Sequence, residues 1–403
     1  MATSAHMLED FMRIQGVYPL TMGQLSMWSA LAVRPPEQLW ESNLEATWPI
    51  PAGVTEARVR DSLRVLAARH ESLRTVYRPA DDPGDLRQVV LADPLVRFTP
   101  ASLREPFDLT AQPAWRAWIH TPDEGPARVR LLIHHIAADG AALRILESDL
   151  HALLRGEPLG AAPAPRELAE RQRGTAFRKR LTAAGEYRRQ TLAAAPRAAA
   201  SRGPLLRALL HTGVPYDAAR RAAQHLQVTL PNLLLAVYAQ ALAATTGTAE
   251  QLLWQLAANR LDPSVRRLVS SMTQWVPTVA SCDPDGPLGP PARQVNVAAV
   301  QAMRHGVFDP FAVTPQDFDH GSYFTFIPAP DDADPTPTEV TPARLEWLAP
   351  RAHSGASFYL VAKAYPTVQL TLRVMRDGYG RADAERFLTA MTDLLHRAVE
   401  EAR

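Results

Sequence analysis

Hydrophobic positions along this chain recur in two periods, and the switches between them mark its elements. Thr21 stands as the cap of a helix carrying Leu25, Met27 and Trp28. Val54 to Ala68 has apolar residues at Val54, Ala57, Val59, Leu63, Val65 and Leu66, a helical spacing. It runs into Arg69-His70-Glu71-Ser72-Leu73-Arg74-Thr75-Val76-Tyr77, which begins polar and ends as a strand. Leu44 to Trp48 (stopped by Pro49), Gln88 to Leu91, Arg97 to Thr99 and Trp115 to Ile119 read as strands. Arg128 to Ile133 alternates and then turns apolar, as a strand entering a core does. Ala141 to Leu146, continued by Leu150, Leu153 and Leu154, predicts a helix with a buried face. Between these two lies His134-His135-Ile136-Ala137-Ala138-Asp139-Gly140, a short strand-to-helix loop that rigid elements would hold from both sides.

The second half repeats the style. Asp217 to Leu226, Leu230 to Thr245, Pro291 to His305 and Arg381 to Arg403 predict helices, with Asn232 to Val237 deeply buried. Leu252 to Leu256, Tyr323 to Ile327, Ala343 to Trp347, Ser357 to Ala362 and Val368 to Val374 predict strands. Both halves are α+β, and no short-period repeat is present. The stretch between them is rich in Ala, Pro and Arg, with ten basic residues from Arg166 to Arg202 against Glu167, Glu170 and Glu186. It fits a solvated helical connection, or a surface that docks something anionic. The expected organisation is 1–160, an N-terminal lobe carrying the histidine loop; 161–205, a basic helical connection; and 206–403, a C-terminal lobe.

Composition narrows the function. At 403 residues the chain exceeds what one core usually serves. A net charge of +1 gives no electrostatic case for nucleic acid or an acidic membrane. The lone Cys282 supports neither an internal disulfide nor a paired-cysteine zinc site. Glu9 and Asp10 stand where a signal peptide needs an apolar run, and no apolar stretch reaches spanning length, so a cytoplasmic location is expected. Residues 1–7 fit either a natural start or a cloning remnant.

The loop has its own chemistry. Adjacent histidines at a strand end point to opposite sides, so one can face a cavity while the other packs inward. A neutral imidazole near its ordinary pKa of ~6.5 is a suitable general base. Asp139 could orient a histidine or pair with a cation, and Gly140 permits close approach. No HExxH spacing supports a metal, no GxSxG elbow supports a nucleophile, and Cys282 lies in a Pro/Asp/Gly-rich turn. The residues alone leave catalysis and a pair of structural histidines both open.

His134 to Gly140 resembles the HHxxxDG motif of nonribosomal peptide synthetase condensation domains, within the chloramphenicol acetyltransferase-like superfamily. Other matches follow in the family's order. Pro19-Leu20-Thr21 through Gln24 and Trp28 resembles the opening motif, and Arg69 to Thr75 is similar to RHExLRT. Pro106-Phe107-Asp108-Leu109 with Pro113 and Arg116 fits the strand before the active loop. Asn259-Arg260 and Val269 to Pro277 resemble the stretch around VGxFVNTLP, with Gln274 where Asn is usual. The chain departs from the pattern at Ala141-Ala142, where a Trp-Ser pair is common, and through most of the second half.

The resemblance implies an α+β fold of two chloramphenicol-acetyltransferase-like lobes, a V-shaped pseudo-dimer with a central tunnel. It implies a condensation enzyme: an acceptor amine or hydroxyl attacks a carrier-bound acyl thioester, giving an amide or ester in natural-product biosynthesis. His135 would be catalytic, with Gly140 beside the reacting groups. His134, Asp139 and Arg260 would be structural, Asp139 pairing with Arg260. Gln24, Gln274, Trp275 and Ala141 are candidates for the tunnel wall. No permanent cofactor or metal is implied; the phosphopantetheine arm of an acyl or peptidyl carrier protein tethers the substrate. The chain is expected to be a monomer, free-standing or excised from a larger synthetase. The rival readings are an acyl-CoA-dependent O- or N-acyltransferase of the same superfamily and a non-catalytic, condensation-like recruitment domain.

Overall fold

The computed structural model describes residues 13–79, 85–122, 125–195, 205–312, 321–330, 333–337, 339–349, 356–375 and 379–403. Residues 1–7, Glu9, Asp10, Arg197 and Arg202 lie outside them. The chain divides into two compact units. The first comprises Met1–Leu181, Ala258–Gln274 and Val307–Phe311; the second comprises Thr182–Ala257, Trp275–Gly306 and Ala312–Arg403. Each unit is thus built from separated stretches of sequence.

The first unit runs β1 (Ile14–Pro19), α1 (Met22–Ala32), β2 (Asn43–Pro49), α2 (Glu56–Arg69), β3 (Thr75–Pro79), β4 (Leu86–Leu91), β5 (Trp115–His120), β6 (Arg128–His134), α3 (Gly140–Arg155) and α4 (Pro165–Arg173). Its strands form two antiparallel sheets, ordered β1-β4-β3 and β2-β6-β5. Central position explains why β6 turns apolar toward its end: Leu131, Leu132 and Ile133 are all buried. Pro49 belongs to β2 instead of stopping it, because β2 is an edge strand, where a missing N–H need break no ladder bond. The strand expected at Arg97 to Thr99 is absent. Pro94 and Pro100 flank it, and its one tie to β5 is Ala117 N–H donating to the Arg97 carbonyl at 3.1 Å.

Two helices matter for the site. A capping box starts α1: Gln24 N–H donates to Thr21 Oγ1 at 3.2 Å, and Thr21 N–H donates to Gln24 Oε1 at 2.8 Å. Asp139 caps α3, and Gly156, at φ +82°, ends it in the left-handed conformation. Leu146 and Leu150 on α3 are fully buried in the unit's core, each worth about 2 kcal/mol of transfer free energy.

The second unit begins within α5 (Thr175–Ala194) and continues β7 (Leu206–Pro215), α6 (Tyr216–His225), α7 (Leu230–Thr246), β8 (Glu250–Ala257), β9 (Gln274–Ser281), α8 (Gly289–Arg304), β10 (Ser322–Ile327), β11 (Arg344–Trp347), β12 (Phe358–Lys363), β13 (Thr367–Val374) and α9 (Arg381–Glu401). A seven-stranded mixed sheet runs β11-β7-β13-β12-β10-β8-β9, with β10 parallel to β8 and to β12. The core gathers residues of α6, α7, α8 and α9 against this sheet, and Leu233 to Ala239 on α7 are fully buried. The sequence pattern did not predict β7: Leu206, Leu209 and Leu210 fit neither period cleanly, and its place is set by pairing with β11 and β13. No single helix among the described residues is long and apolar enough to cross a membrane.

Candidate active site

The histidine loop leaves β6 at its end and enters α3, and both ends are pinned. His134 N–H donates to the Ala114 carbonyl at 2.8 Å, and His135 N–H donates to the Ser42 carbonyl at 2.7 Å. The two rings then part. His134 is buried; its Nδ1 accepts the Ile136 N–H at 3.1 Å, and its ring lies edge-on to Phe107. Burial first, then the charges of His135 and Arg34, push its pKa down to about 3. It is therefore a neutral packing group with its proton on Nε2. His135 is half-buried, and its Nδ1 is buried with no hydrogen-bond partner among the described residues. Burial lowers its pKa as well; its own backbone and Asp139 work against that, and Arg34 works with it.

Asp139 is the fulcrum of the loop. It is fully buried, and each oxygen is used: Oδ1 accepts Ala142 N–H at 2.8 Å and Arg260 Nη2 at 2.8 Å, and Oδ2 accepts Met272 N–H at 3.1 Å. Arg260 in turn donates from Nη1 to the Leu268 carbonyl at 2.6 Å, so one ion pair joins the loop to the returning segment Ala258–Gln274. The return starts at Asn259, whose φ of +56° an Asn tolerates better than most residues, and whose side chain donates to the Met272 carbonyl at 2.8 Å. Gly23 lets this segment lie against α1, since a Cβ there would run into the Ser271 carbonyl oxygen.

Gly140 is exposed, a Cβ on it would meet nothing within 4 Å, and Ala141 beside it is half-buried. The other proposed wall residues behave differently. Gln24 is fully buried and occupied by the capping box, and Gln274 is 2% exposed, donating to Ser26 Oγ at 2.6 Å and the Phe308 carbonyl at 2.8 Å. Neither presents a surface that solvent reaches. Trp275 belongs to the second unit, where its ring meets Tyr323 and Tyr359 edge-on. The first unit thus brings His134, His135, Asp139, Gly140, Ala141 and Arg260 together.

Sequence reasoning missed two further groups. Buried Asp149 on α3 collects Arg69 at 2.9 Å, His70 at 3.0 Å and Arg267. Burial alone would raise its pKa, but the hydrogen bonds from His70 and Arg69 and the nearby charges outweigh it and bring it down to about 2. The RHExLRT-like stretch is thereby a structural clasp, completed by an ion pair between Glu71 and Arg166. The other missed group is Arg34, just past the C-terminus of α1, whose Nη1 donates to Ser42 Oγ at 3.0 Å. Nothing in its sequence context, Val33-Arg34-Pro35-Pro36, marks it. Much of the basic stretch is also committed internally: Arg171 to Asp262, Arg173 to the Leu20 carbonyl, Arg188 to the Trp275 carbonyl and Arg189 to Glu186. Among the described residues no group of three or more His, Cys, Asp or Glu side chains could hold a metal ion.

A model of the condensation domain family matches residues 93–403, and the chain belongs to that family. As a class, condensation domains generally form amide bonds on substrates that carrier proteins present on phosphopantetheine arms, in nonribosomal peptide and polyketide systems. Phosphinothricin tripeptide synthetase PhsC of Streptomyces viridochromogenes is 28% identical over 331 residues, covering 72% of this chain and 30% of that protein. AMB antimetabolite synthetase AmbB of Pseudomonas aeruginosa is 27% identical over 319 residues, covering 72% of this chain and 25% of that protein. The chain therefore spans less than a third of either relative. In architecture it is similar to a condensation domain that mediates chain release from the enacyloxin polyketide synthase, with TM-score 0.76 and 19% identity over 95% of this chain and 82% of the other. The first condensation domain of the calcium-dependent antibiotic synthetase gives TM-score 0.72 and 18% identity over 94% and 97%. At these identities the likeness concerns the fold, the mixed helix-and-sheet architecture of condensation domains.

Proposed function

We propose that this condensation domain is catalytically active and joins a carrier-tethered acyl thioester to an acceptor amine or hydroxyl. The observation that carries this reading is His135: the second histidine of the motif, half-buried, held toward neutrality, with the buried Nδ1 leaving Nε2 as the working nitrogen. Nε2 takes the proton from the acceptor as nitrogen or oxygen attacks the thioester carbonyl. The tetrahedral oxyanion lies toward the first amides of α3, at Gly140 and Ala141, since the Ala142 amide is taken by Asp139. As the carbonyl re-forms, the C–S bond breaks and the thiol leaves with the proton from His135. Asp139 and Arg260 act as scaffold and His134 as packing. The phosphopantetheine thiol of an acyl or peptidyl carrier is the leaving group. Family membership favours this reading over acyl-CoA-dependent transfer or a non-catalytic role.

The test is intact-mass analysis of an acyl-loaded carrier incubated with acceptors. His135→Ala is expected to lower turnover by about two to four orders of magnitude. A variant that keeps most of its rate would remove His135 from the chemistry.

A further inference from the structure

Arg34 has no evident reason to be charged where it stands. It is half-buried, and burial lowers its pKa against a partial counterweight from Glu41. Among the described residues its side chain makes one hydrogen bond, from Nη1 to the hydroxyl of Ser42 at 3.0 Å. A neutral side chain would serve a hydroxyl as well. Among the described residues no carboxylate comes within ion-pair distance of it, whereas the other cations near the loop, Arg260 and Arg69, each have one. A guanidinium offers five N–H donors in a planar fork that matches a carboxylate, and a partly desolvated one without an anion is costly.

Its position says where the anion would come from. Ser42, which accepts from Arg34 through its hydroxyl, also accepts the His135 N–H through its carbonyl at 2.7 Å. The guanidinium is thus joined to the backbone of His135 through a single residue, and its charge acts on both histidine rings. In a free α-amino or α-hydroxy acid the carboxylate carbon is two bonds from the nucleophilic atom. An α-amino or α-hydroxy acid held by its nucleophile at His135 carries its carboxylate close to that ring, and Arg34 is, among the described residues, the cation without a carboxylate partner whose charge acts on it.

We propose that Arg34 anchors a carboxylate of the acceptor, so that the domain prefers an acceptor with a free carboxylate to one whose carboxyl is tied up as a carrier thioester. This rests on His135 being the base. Arg34 is then a specificity residue, not part of the proton transfer.

The test compares the wild type with Arg34→Gln and Arg34→Lys in two assays. The first is turnover of a butyryl-loaded carrier with alanine or alaninamide as acceptor. The second needs no turnover: binding of butyrate or butyramide by saturation-transfer NMR. The wild type is expected to favour alanine in kcat/KM and butyrate in affinity by about tenfold or more, the ordinary worth of a charge-assisted hydrogen bond. Arg34→Gln should erase both preferences, and Arg34→Lys should restore part of each. Equal binding of butyrate and butyramide by the wild type would overturn the proposal. So would an Arg34→Gln loss equal for alanine and alaninamide, which would give Arg34 an oxyanion or folding role, or a carboxylate preference found only between succinyl- and butyryl-loaded carriers. Arg34-dependent butyrate binding without any turnover would leave the anion site standing and count against acyl transfer instead.

Discussion

Removing the Asp139 carboxylate should damage the fold by more than the sum of ordinary surface effects. Asp139→Ala deletes an N-cap, worth about 1 kcal/mol. It also strands Arg260, whose side chain is only 10% exposed, and leaves the Met272 amide without its acceptor. Breaking a buried pair from one side typically costs ~3–5 kcal/mol, and that is the expected total here. Asp139→Asn keeps an oxygen for the Ala142 amide, so its loss should be smaller by about 1 kcal/mol. Adding Arg260→Met to Asp139→Ala should recover part of the deficit, because the stranded cation is then gone. Urea unfolding followed by circular dichroism measures these differences. Amide hydrogen exchange at Met272 reports the same contact locally and should lose protection in Asp139→Ala. An Asp139→Ala protein within about 1 kcal/mol of wild type, or strict additivity with Arg260→Met, would refute the argument.

Other consequences follow from the same geometry. With a folded pKa of about 3 against 6.5 for the free group, His134 makes the unfolded chain the better proton acceptor, so its contribution is complete above pH 6.5 and declines as pH falls toward 3. Between pH 7 and 5 this amounts to about 2 kcal/mol of stability. His134→Asn, which can still accept from Ile136, should flatten the pH dependence of urea midpoints by that amount; an unchanged slope would count against a buried neutral imidazole. Gly23→Ala should destabilise the first unit by roughly 2 kcal/mol, since the new Cβ would meet the Ser271 carbonyl, which can move only with its backbone. Thermal unfolding at the wild-type temperature would contradict that contact.

The loop and its flanking elements were legible because their information is local. A strand that turns apolar, a seven-residue loop and an amphipathic helix can be read without knowing what they touch, and β6 and α3 lie at Arg128–His134 and Gly140–Arg155. Arg97 to Thr99 misled for the same reason: its residues suit a strand, but a ladder needs donors that neighbouring prolines lack. β7 was illegible because its pattern is ambiguous and pairing alone decides it.

The sequence by itself marked which residues could carry chemistry: two histidines, an aspartate and a glycine, in an order that fits one family. Only the tertiary structure decided what each of them touches. A buried side chain is defined by its partners, and those of Asp139 stand 121 and 133 positions away, at Arg260 and Met272. The two histidines, adjacent in sequence, differ in their surroundings: His134 Nδ1 accepts the Ile136 amide, whereas His135 Nδ1 is buried without a hydrogen-bond partner among the described residues. Arg34 became visible only through Ser42, since no local pattern distinguishes a solvated arginine from a half-buried one tied to the histidine loop.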